Sequence, residues 1–188
     1  MMMNKRKPQW SDIRKSLLLL NQNELVAQIK DLYTMSGDSR RFLESRFAQD
    51  RDQCEAVLTD IKQEITDCFF GKRRISDDLP RLRDARRLIR DYRKATNDIV
   101  STLDLRLHYV ETGTEFTNTY GDIDERFYNS LESMLVEFCE GVFSSPDPGQ
   151  VYGQFNKRLV ALRRAAYGVG WGYDDVVQEI LNDLESHF

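Results

Sequence analysis

Cysteine, proline and histidine are all scarce in this chain of 188 residues, which has three, four and two of them respectively. An odd number of cysteines, Cys54, Cys68 and Cys139, without any C-x-x-C spacing excludes a disulfide framework and fits reduced thiols packed in a core. With only His108 and His187 available and no G-x-S-x-G, a Ser or Cys triad has little to stand on, and nothing in the sequence brings Cys139 to His108. Sustained two-residue alternation is missing, which argues against a sheet. Long apolar runs are missing too: Leu17 to Leu20 is far short of a signal-peptide core or a membrane span. The expectation is a cytoplasmic protein that makes no use of a membrane and needs no cofactor to fold.

What is present is helical periodicity almost from end to end, in a chain that is 40% hydrophobic and 31% charged. A domain of this size buries roughly 70% of the surface of its unfolded chain, enough for one core. We therefore expect an all-α protein of about seven or eight helices, in a single compact bundle or a short stack of antiparallel helical hairpins. Residues 1–10 read as a basic flexible N-terminus and 11–188 as one helical domain.

Asn21 with Glu24 forms a capping box ahead of Leu25, Val26, Ile29, Leu32 and Tyr33, and Ser36-Gly37-Asp38 ends that helix. A short helix with Phe42, Leu43 and Phe47 follows, then a longer one from Cys54 to Phe69. Pro80 marks the first turn of the next, behind Ser76 to Asp78 as caps, and it runs to about Lys94. Asn97 is placed to cap a long helix reaching Gly121, in which Gly113 is a candidate kink. Further helices are expected from about Asp124 to Val142, around Phe155, Leu159 and Leu162, and at the end of the chain, where Asp174 is placed as the cap. The turn Gly168 to Gly172 lacks the G-x-G-x-x-G spacing and a preceding strand, so it reads as a tight interhelical turn with Trp171 buried rather than a phosphate cradle.

Three segments carry a resemblance: LNQNELVAQIKDLY near the start, LRLHYVETGTEFTNTYGDIDERFYNSLESM in the middle and GWGYDD near the end. The middle one is the specific one, with Tyr109-Val110-Glu111, Phe116-Thr117, Tyr120-Gly121-Asp122-Ile123 and Phe127-Tyr128 in order. On these residues the chain, from about Leu17 to about Leu181, resembles the bacterial family known as domain of unknown function 6155. Arg126 and the stretch from Asp50 to Phe70 depart from its pattern. The resemblance implies a helical, bacterial-type protein and carries no activity, cofactor or site residue.

The formal net charge of -4 hides two opposed regions. Lys72 to Lys94 has ten Lys/Arg against four Asp/Glu, a net of +6, and Ser101 to Pro148 has two against ten, a net of -8. On the helix around residues 81–94, Arg83, Arg86, Arg87, Arg90, Arg93 and Lys94 share one arc opposite Leu82, Ala85, Leu88, Ile89 and Tyr92, and Lys72, Arg73 and Arg74 extend it upstream. Such an arc suits phosphates or acidic protein segments. In the acidic region Asp104, His108, Glu111 and Glu115 stack along one line of a helix, with Asp122 and Asp124 in the turn beyond. Carboxylates beside an imidazole are a candidate hard-metal or acid-base site, although the order His-x-x-Glu without a second copy is not that of di-metal bundles. The competing reading is a polar seam paired with arginines of the basic helix.

Charge segregation without a catalytic signature favours a non-enzymatic interaction or scaffold module that binds a protein partner or itself. The alternatives are nucleic-acid or nucleotide binding through the basic helix 81–94, and a metal-dependent enzyme at the His108/Glu111 stripe. Partner identity and oligomeric state are not encoded in any motif of the chain.

Overall fold

The structure is a computed structural model in which residues 6–71 and 79–188 are described. Every regular element among them is helical: α1 (Trp10–Leu17), α2 (Gln22–Met35), α3 (Gly37–Phe47), α4 (Arg51–Phe70), α5 (Leu82–Thr96), α6 (Ile99–Tyr120), α7 (Glu125–Phe143), α8 (Pro148–Ala166) and α9 (Tyr173–Glu185). The all-α expectation holds, with nine helices among the described residues rather than seven or eight. The additional one is α1, whose Trp10, Ile13 and Leu17 fall on one face of two turns.

Local chemistry sets most boundaries. The Asn21 and Glu24 side chains each accept a hydrogen bond from the other's backbone N–H, so the capping box forms at the start of α2. Asp50, Asp98, Asp124 and Asp147 cap α4, α6, α7 and α8 in the same manner, each accepting a backbone N–H three residues on. Two expected caps are corrected. Asn97 does not open α6; it closes α5 in the left-handed conformation, φ 54°, which Asn tolerates better than other side chains. Asp174 does not open α9, which Gly172 begins at φ 73°; Asp174 reaches back to accept the Gly168 N–H at 2.9 Å. The proposed caps Ser76 to Asp78 lie outside the described residues.

The chain divides into two compact units, Met1–Glu44 and Ser45–Phe188. In the second, α6 is the centre, packed on α4, α5, α7 and α8, while α9 packs on α7 and α8. The hydrophobic core lies entirely there. The helix α6 runs unbroken through Gly113. The glycine is buried against α7, and a Cβ at that position would collide with the Leu131 side chain, so it sets how closely the two helices approach. Phe69, Tyr109, Phe116 and Phe127 form an aromatic cluster among α4, α6 and α7, with Phe69 edge-on to Tyr109 and Phe127. The core tyrosine hydroxyls are satisfied by small hydroxyl side chains: Tyr109 with Ser130, Tyr173 with Thr114 and Tyr128 with Thr117, each at 2.7 Å. In the first unit neither α1 nor α2 has a buried residue.

Of the cysteines expected inside, Cys68 and Cys139 are buried, but Cys54 is exposed, because it lies in the first turn of α4, ahead of the part that enters the core. Trp171 is likewise not buried. It is 59% exposed, since the turn places it at φ 60° with its ring outward.

Candidate functional site

The polar stripe of α6 lies between α4 and α8, and two cations reach it. Arg158, from α8, holds Glu111 through both ends of its guanidinium, Nε to Oε1 at 2.9 Å and Nη2 to Oε2 at 2.6 Å, and donates Nη1 to Asp104 Oδ1 at 2.5 Å. Lys62, from α4, pairs with the other oxygen of Asp104 at 2.7 Å. Burial would raise the Asp104 carboxyl, but Lys62 and Arg158 outweigh it and hold the group below the usual carboxylate range. Burial would likewise lower Arg158, and its bonds to Glu111 and Asp104 raise it instead. This is a charge-assisted network with its acceptors occupied.

His108 sits in the same seam with its ring turned to α4. Its Nε2 lies 3.1 Å from the Lys62 carbonyl, which can only accept, so Nε2 carries the proton and donates. The Thr66 hydroxyl is also 3.1 Å away. Burial pushes the imidazole below its ordinary pKa, so the ring is neutral at neutral pH. Nε2 is thereby taken up by α4, which leaves Nδ1 as the ring nitrogen with a free lone pair.

The structure therefore gathers Asp104, His108 and Glu111, and does not gather the rest of the predicted set. Glu115 is exposed one turn further on, beside an open groove of about 290 Å³ lined by α6 and α8. Asp122 accepts the Tyr128 hydroxyl at 3.1 Å, and Asp124 is the cap of α7. Among the described residues no group of three His, Cys, Asp or Glu side chains is placed to hold a metal ion. The seam expected to pair with arginines of the basic helix pairs instead with Lys62 and Arg158, because α4 and α8 flank this side of α6. Both residues carry a sequence signal: Arg158 falls on the apolar face of Phe155, Leu159 and Leu162, and Lys62 lies beside Ile61 and Ile65. A charge on a buried face asks for a partner.

The arginines of α5 divide into two sets. Arg86 leans onto α7, where it donates to the Ser130 carbonyl and the Ser133 hydroxyl, each at 3.0 Å, and pairs with Glu137. Arg106 of α6 grips the same residue, Nη1 donating to the Glu137 carbonyl at 2.6 Å. Part of the acidic region thus neutralises the basic helix from within. Arg87 is half-buried near Asp84. Arg83, Arg90, Arg93 and Lys94 are exposed. Of these four, only Arg90 approaches a carboxylate among the described residues, Asp91 at 3.7 Å. Lys72, Arg73 and Arg74, the upstream extension, lie outside the described residues.

Elsewhere, burial pushes the Cys139 thiol up to about 12, which removes it as a nucleophile at neutral pH. No helix among the described residues is long and apolar enough to cross a membrane. No family model, no curated protein and no solved structure matches the chain.

Proposed function

We propose that the protein is a non-enzymatic helical interaction module whose exposed α5 cations receive an acidic segment of a protein partner. One observation carries this reading: Arg83, Arg90, Arg93 and Lys94 face solvent along α5, whereas Asp104 and Glu111 are taken up by Lys62 and Arg158. Arg83 to Lys94 spans roughly 16 Å of helix at 1.5 Å per residue. That is the length of a short acidic helix or strand. Exposed ion pairs contribute about 1 kcal/mol or less each, so the ridge supplies orientation and association rate more than affinity. The resemblance to domain of unknown function 6155 belongs to this proposal and adds no activity to it. A cytoplasmic location is part of the same reading.

The second reading, nucleic-acid or nucleotide binding, rests on the same ridge, because guanidinium forks fit phosphates as well as carboxylates. Titrating the protein with a poly-glutamate peptide and with single- and double-stranded DNA, at low and moderate salt, separates the two. Peptide binding that disappears in Arg83→Glu/Arg90→Glu/Lys94→Glu is the expected result. Tighter DNA binding, weakening with salt at a slope near -0.9 per neutralised phosphate, would replace it. The metal-dependent enzyme remains the third reading and has a direct check: stoichiometric divalent metal in natively purified protein, lost in Glu111→Gln, would establish it.

A further inference from the structure

The first unit presents a physical contradiction when read alone. Helices α1 and α2 are well formed, yet none of their residues is buried. Trp10, Val26, Ile29 and Leu32 on these helices, with Leu18 and Leu19 in the turn between them, are all exposed, Leu19 at 87%. A helix of 14 residues, the length of α2, is marginal in water unless an apolar face is covered. The cover must therefore be supplied.

From these observations we propose that the helices α1 and α2 are a self-association element and pack against the same helices of a second copy of this chain. The proposal rests on the interaction-module reading and deepens it by naming the partner of a different surface. Three arguments select a second copy. Each large apolar side chain carries on the order of 100 Å² of nonpolar surface, so the six together present roughly 600 Å², close to the ~800 Å² per partner of a standard stable interface. Charge provides the second: α1 and α2 hold three cations, Arg14, Lys15 and Lys30, and three carboxylates, Asp12, Glu24 and Asp31. With a net of zero, neither a strongly acidic nor a strongly basic partner is steered to this surface, and a copy is not repelled. Finally, Val26, Ile29 and Leu32 recur at three-residue steps on α2 with Tyr33 alongside, and no charged residue interrupts that ridge between Val26 and Ile29. A ridge of this kind is its own complement under a twofold axis.

The test is sedimentation velocity of the full chain across a range of concentrations at low and high salt. Wild type is expected to run as a dimer of the 22.1 kDa chain and to remain so at high salt, because apolar burial is not screened. Val26→Glu/Ile29→Glu should weaken dimerisation by roughly 100-fold or more, since a buried charge pair of like sign faces itself across the axis. The milder Ile29→Ala/Leu32→Ala should weaken it by a smaller factor with far-ultraviolet circular dichroism unchanged, which covers the case in which the glutamates unfold the segment. A wild-type monomer overturns the proposal, whether the apolar face then folds onto its own chain or sediments with lipid vesicles. So does a dimer that survives Val26→Glu/Ile29→Glu. If that monomer still binds poly-glutamate through Arg83, Arg90 and Lys94, self-association alone has failed; a dimer that binds no acidic peptide has the opposite meaning.

Discussion

Helices α5 and α6 are consecutive in the chain and each carries a charged stripe, yet the two stripes meet different surroundings. On α6, Asp104 and Glu111 lie between α4 and α8, and a guanidinium and an ammonium arrive from those neighbours at 2.5–2.9 Å. On α5, Arg86 is drawn into such a network, whereas Arg83, Arg90, Arg93 and Lys94 remain at the surface. The sign of the charge does not decide the difference. A carboxylate on a covered face, as Asp104 and Glu111 are, must find a partner inside or lose its solvation. A cation on a helix packed on one side keeps water as its partner.

That contrast can be broken most severely at the contact beneath it. Gly113→Val should cost about 3 kcal/mol, because the added side chain runs into the buried Leu131 side chain of α7. Denaturant melts would measure it. Removing the cation from the α6 seam comes next. Arg158→Met leaves Glu111 without its guanidinium and Asp104 with Lys62 alone, and should cost about 2 kcal/mol, less than a fully buried pair because these groups are partly solvated. Met keeps much of the volume, so a loss below a few tenths of a kcal/mol would show that the network adds no net stability.

The pH dependence sharpens the comparison further. His108 is depressed in the folded state by burial, so its contribution is fully present above the ordinary imidazole pKa of about 6.5 and is lost as pH falls below it. Asp104, also depressed, holds its contribution until pH falls below the ordinary carboxylate range. Thermal melts should therefore decline in two stages on acidification, and His108→Gln should remove the first stage only. The smallest effect on stability belongs to α5. Arg83→Glu/Arg90→Glu/Lys94→Glu should shift stability by no more than about 1 kcal/mol while abolishing poly-glutamate binding.

Much of the fold was readable because helices announce themselves in a 3.6-residue period, and the capping box at Asn21 is local chemistry. Helix α1 was not, since two turns behind Pro8 and a basic stretch resemble a tail. Asn97 and Asp98 are adjacent, and which of them caps depends on a left-handed backbone that sequence does not display. In the seam, the spacing of Asp104, His108 and Glu111 was legible as one line. Their partners were not, because Lys62 and Arg158 lie more than forty residues away in either direction, and only the packing of α4 and α8 brings them in. Asp122 and Asp124 were drawn into the predicted set by proximity along the chain, while the turn sends one to Tyr128 and the other to the start of α7.

The joint between α5 and α6 consists of Asn97 and Asp98 alone, the first closing one helix and the second opening the next. So short a joint gives α5 no room to swing. Its cations are presented at a fixed angle to the central helix before any partner arrives, so binding has to order only their side chains, at about 0.5–1.5 kcal/mol each, and no backbone. A partner docking there should meet a preorganised surface, with an association rate set by encounter and charge rather than by rearrangement of this chain.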